Sequence, residues 1–260
     1  MFKIWCTKWV LVLTAMYTMQ ASAQKLSGKS LHFDGHNDFV QAPHYDALNT
    51  GNGDFTYEAR IRASARQIHA YPAIVSDRNK STENGVIVFL VPGEEAWTMG
   101  KPWININGKN YPCGECRILT NASVYALAVV RRQDTIKFYI NGVLQQSRNV
   151  LPGTGKITTT GDVQIGHDQA NPSMTYFRGD IAEVRIWNVA RTTEEIAAFY
   201  NKTIDGNTPG LTGYWRLDEG AGQTVYNSAQ NNSSAGTLGA SVLLQSDDPL
   251  WAKSATVIKK

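Results

Sequence analysis

The sequence predicts an all-β protein, an antiparallel two-sheet sandwich carrying one short helix. Three observations carry that expectation. Short apolar-rich segments follow one another along the 260 residues, punctuated by Gly, Asn, Asp and Pro. An Asn-Gly pair stands between two strand-like runs, and one segment alone changes from strand period to helix period.

"FTYEARI" is the clearest strand: Phe55, Tyr57, Ala59 and Ile61 alternate with Thr56, Glu58 and Arg60, as one buried face requires. "GVIVFLV" (Gly85 to Val91) and "YALAVV" (Tyr125 to Val130) are continuously apolar and are expected as central strands covered on both sides. "TIKFYINGVLQQ" places Asn141-Gly142 at a hairpin tip, because both residues accept positive φ. "GDIAEVRIWNVARTTEEI" (Gly179 to Ile196) starts as a strand with Ala182, Val184 and Ile186 on one face and Ile181, Glu183, Arg185 and Trp187 on the other. It continues into a helix from Thr193 to about Asn201. Thr192 and Glu195 have capping-box spacing, and Ile196, Phe199 and Tyr200 supply the apolar face. Trp187 and Trp215 are expected in the core.

The first residues have the form of an export signal. Lys3 and Lys8 precede an apolar run from Trp9 to Met19, and Ala21-Ser22-Ala23 offers a small-residue cleavage site. The run is too short to span a bilayer, which takes roughly 20 residues. The expected organisation is a signal peptide at 1–23, one domain at 24–245 and a tail at 246–260, in a secreted, periplasmic or cell-surface protein without membrane insertion after cleavage. Without Lys3 and Lys8 the balance is 23 basic to 22 acidic residues, with the signs interspersed. Backbone-directed binding of nucleic acid needs a concentrated basic surface, so nothing here favours that partner.

Cys113 and Cys116, in "CGEC", are the two cysteines that remain after cleavage. In an oxidising compartment they read as a short disulfide pinning a loop. A zinc site would need two more ligands, and the histidines show no matching spacing. A redox thiol is usually activated at a helix N-terminus, whereas Pro112 and "RIL" point to a loop between strands.

The chain resembles the laminin-G-like and pentraxin-like jelly rolls of the concanavalin A-like superfamily. The segments that carry the resemblance are, in order, "LHFDGHNDFVQAP" (Leu31 to Pro43), "IKFYINGVLQQS", "VQIGHD" (Val163 to Asp168), "FRGDIAEVRIWNVARTTEEI" and "GLTGYWRLDEGAGQTVYNSAQNNSSAGTL". The resemblance implies a concanavalin A-like sandwich. It leaves function open, since the superfamily holds lectins, glycosidase-linked modules and protein-binding domains.

Three kinds of site follow. Some relatives of this fold are glycosidases, but Asp180 and Glu183 are three apart, which on a regular strand sends them to opposite faces and away from a shared glycosidic bond. The pentraxin resemblance implies a calcium locus, with Glu83 and Asn84 in "ENGVIVF" and Asp168 and Gln169 in "IGHDQANP" as oxygen ligands. The plain alternative is polar loop residues, and Ala170, where the family pattern supplies another acid, weighs toward it. Asp34 and Asp38 in "DGHND" read either as ligands of a structural ion or as a turn. In "WININ", Trp103, Asn105 and Asn107 share a face opposite Ile104 and Ile106, and Trp97 lies nearby in a Gly/Pro-rich segment. Trp103 is then either an aromatic platform flanked by amides for a sugar or a ring packed under a neighbouring loop. "GTGKIT" has the wrong glycine spacing for a phosphate loop. The leading expectation is a non-enzymatic binding module for an extracellular glycan, calcium-assisted if the loops hold the ion; the alternative is a protein-interaction or structural domain that needs neither.

Overall fold

The computed structural model describes residues 29–91, 100–118, 123–229 and 235–252; the expected signal peptide and Trp97 lie outside them. In chain order the first strands are β1 (Ser30–Asp34), β2 (Val40–Ala42), β3 (Phe55–Ala63), β4 (Ala73–Ser76), β5 (Val86–Val91), β6 (Lys101–Ile106) and β7 (Lys109–Pro112). Then come β8 (Tyr125–Arg132), β9 (Thr135–Ile140), β10 (Val143–Asn149), β11 (Val163–Ile165) and β12 (Arg178–Trp187). Helix α1 (Thr193–Phe199) precedes β13 (Leu211–Trp215), β14 (Thr224–Val225), β15 (Gly236–Leu238) and β16 (Leu250–Ala252).

The strands form two antiparallel sheets, the sandwich that the sequence predicts. The first runs β10, β9, β8, β3, β12, β1, β16, with β13 beside the C-terminal half of β12. The second runs β14, β15, β2, β11, β4, β5, β6, β7. Their inner faces meet in one core: Phe33, Phe55, Tyr57, Ile61 and Val129 from the first sheet pack with Val88, Leu90, Ile104 and others from the second. The two continuously apolar strands are explained by what lies outside them. In β8, Leu127 and Val129 point into the core while Ala128 and Val130 meet Ile196 of α1. In β5, Val86, Val88 and Leu90 point inward, while Ile87 and Phe89 form a small outer cluster with Ala73 and Trp103.

Local signals set the connections. Asn141 and Gly142 have φ of 51° and 80° and close the β9–β10 hairpin. A Cβ on Gly142 would stand 2.8 Å from the Tyr200 ring, so the same glycine lets α1 lie close over the sheet. The capping box is formed, with Glu195 N–H donating to Thr192 Oγ1 (3.2 Å) and Thr192 N–H to Glu195 Oε2 (2.9 Å). Cys113 and Cys116 are joined by a disulfide just after β7, both buried in the main core.

Two expectations are corrected. Strand β12 contains a β-bulge: Ile181 pairs with Ile61, but Glu183 pairs with Arg60, so one residue on β12 has no counterpart on β3. Ile181 therefore joins Val184 and Ile186 in the core, and Asp180 and Glu183, expected on opposite faces, lie on the same outer face. Trp187 is fully buried as expected, in a second core cluster with Leu211, Tyr214 and Ala229. Residues 246–252, expected as tail, carry β16, which pairs with β1.

The "DGHND" segment is a turn closed by its own carboxylates. Asp34 N–H donates to Asp38 Oδ2 (2.7 Å), and His36 N–H to Asp34 Oδ1 (2.7 Å). Burial pushes the Asp38 carboxyl up to about 7; the nearby Asp34 and Asp248 add to the rise, while the Asp34 N–H bond and His32 oppose it. A folded-state value above the unfolded one means the native protein holds that proton more tightly, so Asp38 lowers stability as pH rises from about 4 through 7. Asp38→Asn keeps an acceptor for the Asp34 N–H. It is expected to raise the melting temperature at pH 8 by roughly 5 °C, a gain on the order of 2 kcal/mol that vanishes near pH 4 in melts across that range.

Candidate functional site

The outer face of the second sheet carries two parallel rows of side chains set by strand register. One row is polar except at Ile87: Thr237, Gln41, Gln164, Ser76, Ile87, Asn105 and Asn110 are consecutive cross-strand partners. The next is apolar, with Ala73, Phe89, Trp103 and Pro112 paired in turn. A groove of about 510 Å³ runs over the β4 to β7 end of these rows. Phe89 is its floor, with its ring 6.0 Å from Trp103 and 5.9 Å from Tyr71. Tyr71 is exposed and Trp103 half-buried, so both present ring surface beside the amides of Asn105, Asn110 and Asn171.

Of the predicted platform residues, Trp103 and Asn105 share this face and Asn107 does not. Asn107 and Gly108 have φ of 50° and 79° and form the turn between β6 and β7. The Asn107 side chain accepts from Gly85 N–H (2.9 Å) and donates to the carbonyls of Thr154 and Lys156 (both 2.9 Å), so it fastens neighbouring loops. Asn105 is almost wholly buried. It donates to Asn110 Oδ1 (2.8 Å) and accepts from Gly108 N–H (2.9 Å), which fixes the hairpin at the groove edge.

The predicted calcium residues meet beside this hairpin, where Glu83 Oε2 lies 3.9 Å from the Cβ position of Gly108, but they meet around an arginine. Pairing of β4 with β11 brings Ser76 and Arg78 beside Asp168. Fully buried Asp168 accepts from Ser76 Oγ (2.7 Å) and Arg78 Nε (3.3 Å), and its second oxygen takes Arg78 Nη2. Glu83, at the exposed side, accepts from Arg78 Nη1 (3.1 Å). Gln169 turns its amide N–H toward Arg78 O (2.7 Å), and Asn84 Oδ1 takes Thr158 N–H (3.1 Å). Below them, burial pushes the Asp77 carboxyl up to about 6 although Tyr57 and Val86 N–H hydrogen-bond to it. Calcium takes six to eight oxygens free to turn toward it. Here the carboxylates already face a guanidinium and Gln169 presents a donor, so this set does not fit the ion. Among the described residues no group of three or more His, Cys, Asp or Glu is placed to hold a metal.

Asp180 and Glu183, on the outer face of the first sheet, are each held by arginine. Asp180 accepts from His32 Nδ1 in its protonated form (2.8 Å) and from Arg62 Nε (2.6 Å). Burial raises its pKa, but those hydrogen bonds outweigh burial and hold the carboxyl below its ordinary range. Glu183 is paired with Arg60 and Arg185.

The family model described as the concanavalin A-like lectin/glucanases superfamily matches residues 34–197, and the chain belongs to that family. A protein of Bacteroides ovatus ATCC 8483 proposed to bind carbohydrate superposes with a TM-score of 0.63 at 21% identity, over 87% of this chain and 62% of that one. This chain thus spans less than two thirds of that protein's length. The heptameric SAP-like pentraxin of Limulus polyphemus gives 0.52 at 17% identity, over 67% of this chain and 82% of that one. Domain 4 of AbnA, an extracellular GH43 arabinanase of Geobacillus stearothermophilus solved with arabinotriose, gives 0.50 at 20% identity, over 68% and 78%. At these identities the likeness shows the fold. No curated protein matched the chain.

Proposed function

We propose that this chain is an exported, non-enzymatic module that binds a glycan in the groove on the outer face of the second sheet. The observation that carries the reading is the convergence in one groove of ring surface, from exposed Tyr71 and half-buried Trp103, with the amides of Asn110 and Asn171, Asn105 holding the hairpin beneath them. A sugar ring offers an apolar C–H face and a rim of hydroxyls, which call for an aromatic surface beside a few placed polar groups. Among the described residues Glu83 is the one acid lining the groove, whereas glycoside hydrolysis uses a facing pair. The proposed sugar binding of the Bacteroides protein and the arabinotriose held by the Geobacillus domain support the ligand class, and the Lys-apolar-Ala-Ser-Ala leader supports export. Among the described residues no helix is long and apolar enough to cross a membrane.

A second reading, protein interaction, rests on Val242, Leu243 and Leu244, three consecutive aliphatic residues exposed by 67, 70 and 80%. Binding to a broad glycan panel decides between the two. Trp103→Ala is expected to weaken glycan binding about 10- to 100-fold while the protein still melts cooperatively. Absence of binding by the unaltered chain across the panel overturns the glycan reading in favour of protein interaction.

A further inference from the structure

We infer that Arg78 is the resident cation of the groove's rim: its guanidinium occupies the place between Glu83 and Asp168 where an ion would have to sit, and organises these loops without metal. Arg78 has a side chain 7% exposed, and it ties the β4–β5 connection, in which it lies, to the segment after β11. It bonds Asp168 after β11 with Nε and Nη2, and Glu83 in the β4–β5 connection with Nη1. Its own carbonyl receives the Gln169 amide. The backbone is built around this arrangement. A Cβ on Gly161 would lie 2.2 Å from Arg78 O, and a Cβ on Gly85 would lie 2.9 Å from Arg78 Cα, so glycine at both positions lets the flanking loops close on the main chain of Arg78.

The electrostatics explain why a cation is needed there. Asp168 and Asp77 are fully buried and near enough to repel each other, and Glu83 adds a third carboxylate at the surface. A planar fork satisfies a carboxylate with two N–H groups at once, and the guanidinium stays charged at every working pH. Three of its five N–H groups are taken by Asp168 and Glu83. The remaining two belong to Nη1 and Nη2 of a residue that lines the groove. They can donate to a pair of neighbouring sugar oxygens, the role a bound metal would otherwise fill. This last step rests on the glycan reading; the metal-free rim does not.

The test uses the mature chain with millimolar calcium chloride or with EDTA. The melting temperature of the unaltered protein is expected to agree within about 1 °C between the two conditions, against the several degrees a specific ion confers. Arg78→Ala is expected to melt roughly 10 °C lower in EDTA and to regain part of the loss in calcium, because its carboxylates are then left without a cation. Arg78→Lys keeps the charge and loses the fork. It is expected to fold, to stay indifferent to calcium, and to bind a panel-positive glycan about 10-fold more weakly. A calcium-dependent rise in the unaltered protein overturns the inference, as does an Arg78→Lys variant equal to it in both melting and binding. Loss of glycan binding in all forms with the metal-indifferent melting intact overturns the glycan reading alone.

Discussion

Arg185→Met is expected to lower the melting temperature by roughly 10 °C at pH 8, on the order of 3–5 kcal/mol, and by less at pH 5. Arg185 is almost wholly buried on the outer face of the first sheet between buried Glu183 and partly buried Glu58, with Nη1 3.1 Å from Glu58 Oε2 and Nε 2.8 Å from Glu183 Oε1. The same guanidinium donates to the carbonyl oxygens of Phe199 (3.3 Å) and Lys202, at and just beyond the end of α1, and lies 5.5 Å above the Tyr214 ring. Met fills most of the volume and removes the charge and all of these donors. Glu58 already has its pKa raised by burial, with Arg185 as the main opposing influence. Without the arginine Glu58 binds its proton still more tightly in the folded state than in the unfolded one. Stability then rises as pH falls, which is why the deficit narrows toward pH 5. Thermal melts at the two pH values check the magnitude and its slope; a deficit equal at both would place the loss in packing alone.

The same strand shows which parts of this molecule are legible in its sequence. Signals confined to a few neighbouring residues, such as Asn141-Gly142 and Thr192 with Glu195, specify backbone groups within their own reach, and the structure has them as predicted. The bulge at Ala182 has no such signature. It is a relation between β12 and β3, whose paired residues are more than a hundred positions apart, and one extra residue reverses every face beyond it. That is why Asp180 and Glu183 share a face that alternation along β12 does not assign to both. Asn107 leaves the face that alternation assigns it because β6 ends at Ile106, and Asn107-Gly108 carries the same turn signal as Asn141-Gly142. Strand β16 has three residues, too few to display a period. At the groove, Trp103 and Asn105 could be assigned a face from alternation alone. Arg78 could not be connected to Asp168, because they lie 90 residues apart and meet through the pairing of β4 with β11. The polar residues around that locus could be read from sequence, but not what they surround.

The position that couples core to groove most tightly is Gly166, and Gly166→Ala is expected to cost roughly 3–4 kcal/mol, about 10 °C, and to disable the groove as well. Gly166 has φ +83°, where an L side chain is strained, and a Cβ there would lie 2.4 Å from both Cδ1 and Cε1 of Phe33. Phe33 is fully buried and meets Phe177 edge to face at 6.3 Å, so its ring has nowhere to go. The glycine cannot retreat either: its N–H donates to Ile74 O (3.0 Å) and its carbonyl accepts from Phe177 N–H (2.9 Å). Relief must therefore come from moving the chain just beyond, which is His167 and Asp168. Displacing Asp168 withdraws the carboxylate that Ser76 and Arg78 hold, so the rim should loosen along with the core. Gly222 provides the control, because it has the same φ of +83° with nothing within 4 Å of its Cβ position. Gly222→Ala should show the backbone strain by itself, about 1–2 kcal/mol. The excess loss in Gly166→Ala then measures the clash with Phe33. A Gly166→Ala loss no larger than that of Gly222→Ala would mean that β11 can shift freely, and that the rim is not anchored by the core beneath it.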